Sequence, residues 1–152
     1  MKLQRVLLSR IDITADGWDN FIFDLNPSNI DRMAESFERI GQVYPLILLK
    51  YMDWLFIIAG YARYLAMRKL NVDETWARIF QENEVSKEEC LWLAVEARSS
   101  SPFNSAAQRR VLGRFHKIAG YSEERLATEV APAIGLNLTV DEVREILVED
   151  DE

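Results

Sequence analysis

The chain has one cysteine, Cys90, and one histidine, His116, among 152 residues. A single thiol excludes an internal disulfide. With only one imidazole beside it, zinc clusters built on Cys or His and a catalytic His pair are excluded as well, so no metal ligand set is predicted. Proline and glycine are sparse, 4 and 6 residues, which excludes a chain made mainly of low-complexity linker. No apolar run approaches the ~20 residues of a membrane helix. The leading run Val6-Leu7-Leu8 is too short for a secretory signal. These absences predict a soluble, cytoplasmic protein with no membrane partner. Basic charge is also short: 18 Lys and Arg face 25 Asp and Glu, a net charge of -7, a poor overall balance for a non-specific DNA binder.

What is present suffices for a core. Hydrophobic residues make up 49% and charged residues 28%, and a chain of this size buries roughly two-thirds of its unfolded surface. Strands are predicted at Arg5 to Leu8, Leu46 to Leu49, Trp54 to Ile58 and Thr75 to Phe80. The two middle runs are continuously apolar, as strands buried on both faces are. A helix is predicted from Asp31 to Ile40, with Ser28 as its N-cap and Asp31 as the partner in a capping-box variant, Ile30, Met33, Ala34 and Phe37 on one face, and Gly41 as its stop. Tyr61 to Leu70 and Lys87 to Arg98 read as further helices. After Ser99-Ser100-Ser101-Pro102, a linker by composition, three more follow: Ser105 to Ala119, Glu123 to Ala131 and Val140 to Val148. Thr139 and Glu142 form a capping box before the last. The division falls into a mixed α and β part, residues 1–98, and an all-helical part, residues 99–152.

The segment that reads most like a site is strand, Ala59-Gly60-Tyr61-Ala62-Arg63, helix. A glycine ending a buried strand permits a tight turn. The helix start behind it offers unpaired N–H groups and a positive dipole end, which suit a phosphate. Arg63 in the first turn can add a bidentate contact. On spacing alone, the alternative stands beside this: Gly60 as an ordinary turn and Arg63 as a surface cation paired with an acid.

Three stretches taken together carry a resemblance: Met33-Ala34-Glu35-Ser36-Phe37; Ile40-Gly41-Gln42-Val43-Tyr44-Pro45-Leu46-Ile47-Leu48; and Phe56-Ile57-Ile58-Ala59-Gly60-Tyr61-Ala62-Arg63-Tyr64-Leu65-Ala66. In order and spacing they resemble the ParB/sulfiredoxin-like superfamily, whose uncharacterised members are often labelled ParB-like nuclease. The resemblance implies an α+β fold: a small mixed-sheet domain followed by a helical segment similar to the ParB middle domain. It implies a nucleotide whose phosphates meet Gly60, Tyr61, Ala62 and Arg63, with Gln42 and Pro45 as nucleotide or loop contacts. The nucleoside triphosphate would be CTP or ATP with Mg²⁺. Relatives that are small-molecule kinases use an acidic base on this scaffold, a role that would fall to Glu35; the other reading of Glu35 is a solvated helix carboxylate.

The chain departs from the superfamily pattern in places. Sulfiredoxins carry Cys-His-Arg where Tyr61, Ala62 and Arg63 stand, so no thiol is available there for sulfinate chemistry. ParB proteins carry a second arginine where Ala62 stands. In the second nucleotide motif, Glu96 and Asn104 fit, while Ala97 and Ser100 replace Asn and Arg. Cys90 reads as a core residue.

The helical part is uneven in charge. From Ala97 to Ser122 the charges are all positive: Arg98, Arg109, Arg110, Arg114 and Lys117. Arg109, Arg110, Arg114 and Lys117 are predicted as a DNA- or anion-binding face, or as partners for the acids that follow. From Glu123 to Glu152, ten acids stand against Arg125 and Arg144. A recognition helix over Val140 to Val148 would bring Asp141, Glu142 and Glu145 toward phosphates, which argues against base reading there. The leading expectation is a nucleotide-phosphate-binding, DNA-associated regulatory module, with DNA and a second copy as partners. The alternatives are a small-molecule kinase or phosphohydrolase, and a degenerate protein-binding scaffold.

Overall fold

The computed structural model describes residues 2–97 and 103–150. Two compact units divide the chain, Met1–Ser86 and Lys87–Glu152. The sequence places the division at residues 98 and 99. Within the second unit the helix Lys87–Glu96 packs on Ser105–Ala119. The expected linker from Ser99 to Pro102, and Arg98, lie outside the described residues.

The first unit is built on four strands: β1 Lys2–Leu7, β2 Leu46–Tyr51, β3 Trp54–Ala59 and β4 Glu74–Gln81. Their order in the sheet is β1-β4-β2-β3. β1 runs antiparallel to β4, β4 parallel to β2, and β2 antiparallel to β3. A parallel pair requires a crossover, and α2, Tyr61–Lys69, supplies it between β3 and β4. One face of the sheet, with Val6, Leu46, Leu48, Leu55, Ile57, Ala77 and Ile79, joins Tyr64 and Met67 of α2 in a core. Leu8, Ile11 and Ile22, from the segment after β1, belong to the same cluster. That segment also reaches β3, where Ile11 bridges Leu55. Phe21, Ile22 and Phe23 are buried without regular secondary structure.

α1, Ile30–Ile40, packs on α2. Its N-cap is Asn29, with no side-chain cap bond, instead of the expected Ser28. Asp31, expected to serve the cap, pairs with Lys69 of α2 instead. β1 starts at Lys2, earlier than expected. Its exposed Leu3 and Leu7 lie on the outer side, so hydrophobicity alone places the strand poorly.

The second unit is helical. α3 is Lys87–Glu96 and α4 is Ser105–Ala119. A short helix α5, Glu123–Arg125, runs through a π-helical stretch, Leu126–Val130, into α6, Ala131–Ala133. Pro132 lies there and has no N–H to continue an α-helical ladder, a common reason for a widened turn. α7, Val140–Asp150, opens on the expected capping box. The Thr139 N–H donates to Glu142 Oε1 at 3.0 Å, and the Glu142 N–H to Thr139 Oγ1 at 3.2 Å. Among the described residues no helix is long and apolar enough to cross a membrane.

Candidate anion site at the start of α2

The end of β3 sets the geometry. Ile47 is in register with Ala59 and Leu48 with Ile57, so Ile58 is an extra residue in β3. Such a bulge bends a strand locally, and here it leads directly into Ala59-Gly60. Gly60 has φ 103° and ψ 23°, a left-handed conformation that a side chain resists. A Cβ at Gly60 would sit 2.6 Å from Leu46 Cδ2, inside any contact distance, so a side chain there would force Leu46 to shift.

Gly60 is the N-cap of α2 and offers no capping side chain. The first helical bond runs from the Tyr64 N–H to the Gly60 carbonyl at 2.9 Å. The N–H groups of Tyr61, Ala62 and Arg63 therefore precede the ladder, at the positive end of the helix dipole. Arg63 lies over the same turn. Its Nη1 is 3.6 Å from the position a Gly60 Cβ would take, and it donates to the Pro45 carbonyl at 3.2 Å. The guanidinium carbon sits 5.4 Å from the centre of the Tyr44 ring. Burial pulls the Arg63 pKa below the ordinary guanidinium value, and Tyr44 opposes the shift. No carboxylate among the described residues forms an ion pair with Arg63. The arrangement is a half-buried cation beside unladdered N–H groups, a combination whose chemistry suits an anion.

Gln42 is engaged in the protein backbone. Its Oε1 accepts the Trp76 N–H at 2.8 Å, and its Nε2 donates to the carbonyls of Trp76 and Tyr44, both at 3.0 Å. Of its two expected roles, the loop contact is the one made. Pro45 contributes its carbonyl to Arg63. The Tyr61 ring faces Trp18 at 5.9 Å and Tyr64 at 6.2 Å, so it lines the core side of the turn, and burial raises its hydroxyl pKa. Glu35 is exposed on α1, and no hydrogen bond joins it to the turn. Among the described residues no group of acids, His and Cys could hold a metal ion.

In the second unit, Asn104 caps α4, its side chain accepting the Ala107 N–H at 2.8 Å. Arg110, Arg114 and Lys117 have partners within the structure, while Arg109 and Lys117 are exposed. On α7, Arg144 pairs with Glu123 and Asp141, and Asp141, Glu142, Glu145 and Glu149 are exposed. Cys90 is fully buried and its thiol pKa is pushed up to about 12, as a core residue's would be.

Sequence reasoning passed over Tyr44 and Trp18. Tyr44 stands next to Pro45 in a stretch already singled out, and an exposed aromatic one residue before a site proline is a usable signal. Trp18 carries no comparable signal.

No protein-family model and no curated protein matches the chain. Solved structures do match. The chain is similar to the Pnob8-like ParB-N domain, with a TM-score of 0.54 and 18% identity over 99% of this chain and 62% of that one. It therefore spans less than two-thirds of that structure's length. It is also similar to the C-terminally truncated chromosome-partitioning protein ParB from Caulobacter crescentus, complexed with CTP-γ-S. There the TM-score is 0.53 and the identity 12%, over 97% of this chain and 77% of that one. Sulfiredoxin from Arabidopsis thaliana aligns with a TM-score of 0.44 and 18% identity over 53% of this chain and 86% of that one. The fold is ParB/sulfiredoxin-like and α+β.

Proposed function

We propose that the chain is a cytoplasmic, nucleotide-phosphate-binding regulatory module that associates with DNA. The observation that carries the reading is the Arg63 guanidinium, half-buried without a carboxylate partner, beside the leading N–H groups of α2. The phosphates would lie on the N–H groups of Tyr61, Ala62 and Arg63, and the guanidinium would neutralise them. The neighbour complexed with CTP-γ-S makes a nucleoside triphosphate the first ligand to test. Mg²⁺, where present, would be held by phosphate oxygens and water, since no acidic cluster among the described residues offers ligands. DNA would meet the basic side of α4, where Arg109 and Lys117 are exposed.

Thermal unfolding with CTP, ATP or GTP, each with and without Mg²⁺, tests the nucleotide. A ligand at 100 times its Kd adds about 2.7 kcal/mol of stability. One nucleotide is expected to raise Tm, and Arg63→Ala to abolish the rise. A rise that survives Arg63→Ala places the ligand elsewhere. DNA retention on filters across a salt series is expected to fall steeply; an absence of retention removes DNA from the reading.

A further inference from the structure

We propose that Tyr44 is a positioning residue for the anion site: its ring, together with the adjoining Pro45 carbonyl, holds the Arg63 guanidinium over the start of α2. The inference rests on the phosphate reading of that turn and adds what keeps its cation in place.

Both contacts of the guanidinium come from one dipeptide. The Tyr44 ring lies 5.4 Å from Cζ, and the Pro45 carbonyl accepts from Nη1 at 3.2 Å. An arginine side chain is long and loses much rotamer freedom when it is ordered. A cation already held in its binding geometry does not incur that loss again when the anion arrives. The ring attracts the guanidinium through its quadrupole without neutralising it, as a carboxylate would. The carbonyl occupies one of the five N–H donors and leaves the others for phosphate oxygens.

The dipeptide is itself fixed to the sheet. Gln42 Nε2 donates to the Tyr44 carbonyl and to the Trp76 carbonyl, and Gln42 Oε1 accepts the Trp76 N–H. A line of contacts thus runs from β4 through Gln42 and Tyr44 to Arg63. Tyr44 is 66% exposed, so it contributes little to the core and its replacement leaves the fold intact. An exposed aromatic held by its backbone and facing a cation has a clearer use in orienting that cation than in packing.

Calorimetric titration with inorganic pyrophosphate tests this on the intact chain, because the probe needs only the phosphate cradle. Tyr44→Leu is expected to weaken binding about three- to tenfold, and Tyr44→Phe, which keeps the ring, to stay within about twofold of wild type. The order parameter of the Arg63 Nε–Hε bond reports the positioning: Tyr44→Leu is expected to lower it, and Tyr44→Phe to leave it near the wild-type value. Wild-type affinity in Tyr44→Leu overturns the inference. So does an equal loss in Tyr44→Phe, which would point to the hydroxyl, or a loss in Tyr44→Leu with the Arg63 order parameter unchanged. In each of those outcomes the phosphate reading stands. A wild-type chain that takes no pyrophosphate overturns the phosphate reading, and this inference with it.

Discussion

Gln42 pairs with both backbone polar groups of Trp76, accepting its N–H at 2.8 Å and donating to its carbonyl at 3.0 Å. The first backbone partners of β2 and β4 are Leu46 and Ala77. The side-chain amide therefore stands where one more residue of β2 would pair, and it extends the ladder past the end of the strand. Gln42→Ala leaves two solvent-accessible backbone groups of a strand without these partners and is expected to cost about 0.5–1.5 kcal/mol. Gln42→Glu loses both donor bonds and should fall in the same range. Urea unfolding checks this, and an unchanged midpoint in both variants would show that water replaces the amide at no cost.

Gly60→Ala meets two separate obstacles. The left-handed conformation at φ 103° costs an alanine about 1–2 kcal/mol. The added Cβ also meets Leu46, which is fully buried, at 2.6 Å. Overpacking of this kind adds roughly 1–3 kcal/mol. A total loss of about 2–5 kcal/mol is expected by chemical denaturation. A loss below about 1 kcal/mol would mean that the turn can adopt another shape.

Met52 sits in the two-residue loop between the paired Tyr51 and Trp54, with φ 56°. Its side chain is 68% exposed and gains little from burial. Asparagine tolerates this conformation better than an unbranched apolar residue does. Met52→Asn is expected to raise stability by about 0.5–1 kcal/mol. A lower Tm in that variant would contradict this account of the loop.

Cys90 gives a pH dependence. Burial pushes its thiol up to about 12, with the Glu89 charge adding to the effect. The unfolded thiol ionises near its ordinary value, about 8.5. The folded pKa is thus the raised one. The contribution of Cys90 is complete below the unfolded pKa and is lost as pH rises from there toward the folded value. At pH 8 an aromatic disulfide reagent should leave the native thiol unmodified and label it on unfolding. Rapid labelling of the native chain would sink this assignment.

Much of the first unit is legible from local pattern. The apolar runs Leu46 to Leu49 and Trp54 to Ile58 mark β2 and β3, and the spacing of Met33, Ala34 and Phe37 marks α1. The glycine, the helix and Arg63 are also legible as a possible phosphate turn, because all three lie in one short stretch. What stays hidden depends on contacts between residues far apart in the chain. Tyr44 reaches Arg63, and Gln42 reaches Trp76, only once the sheet brings their strands together. Asp31 illustrates the same limit: a capping role is the local expectation, and a lysine on another helix overrides it. β1 is obscured for a different reason. It alternates as a strand should, but its outward side carries Leu3 and Leu7, so hydrophobicity does not distinguish its two faces.

The sheet order makes β1, the first of the four strands in chain order, wait for β4, the last of the four. Lys2 lies opposite Ile79 and Leu7 opposite Glu74, and among the described residues no other strand pairs with β1. During synthesis β1 has no mate until nearly the whole first unit has emerged. Closing so wide a separation is slow by comparison with local helix formation. Trp76, the anchor for Gln42, arrives in the same late strand. Completing the sheet and anchoring Gln42 therefore fall together, and a chain that stops short of β4 would lack both.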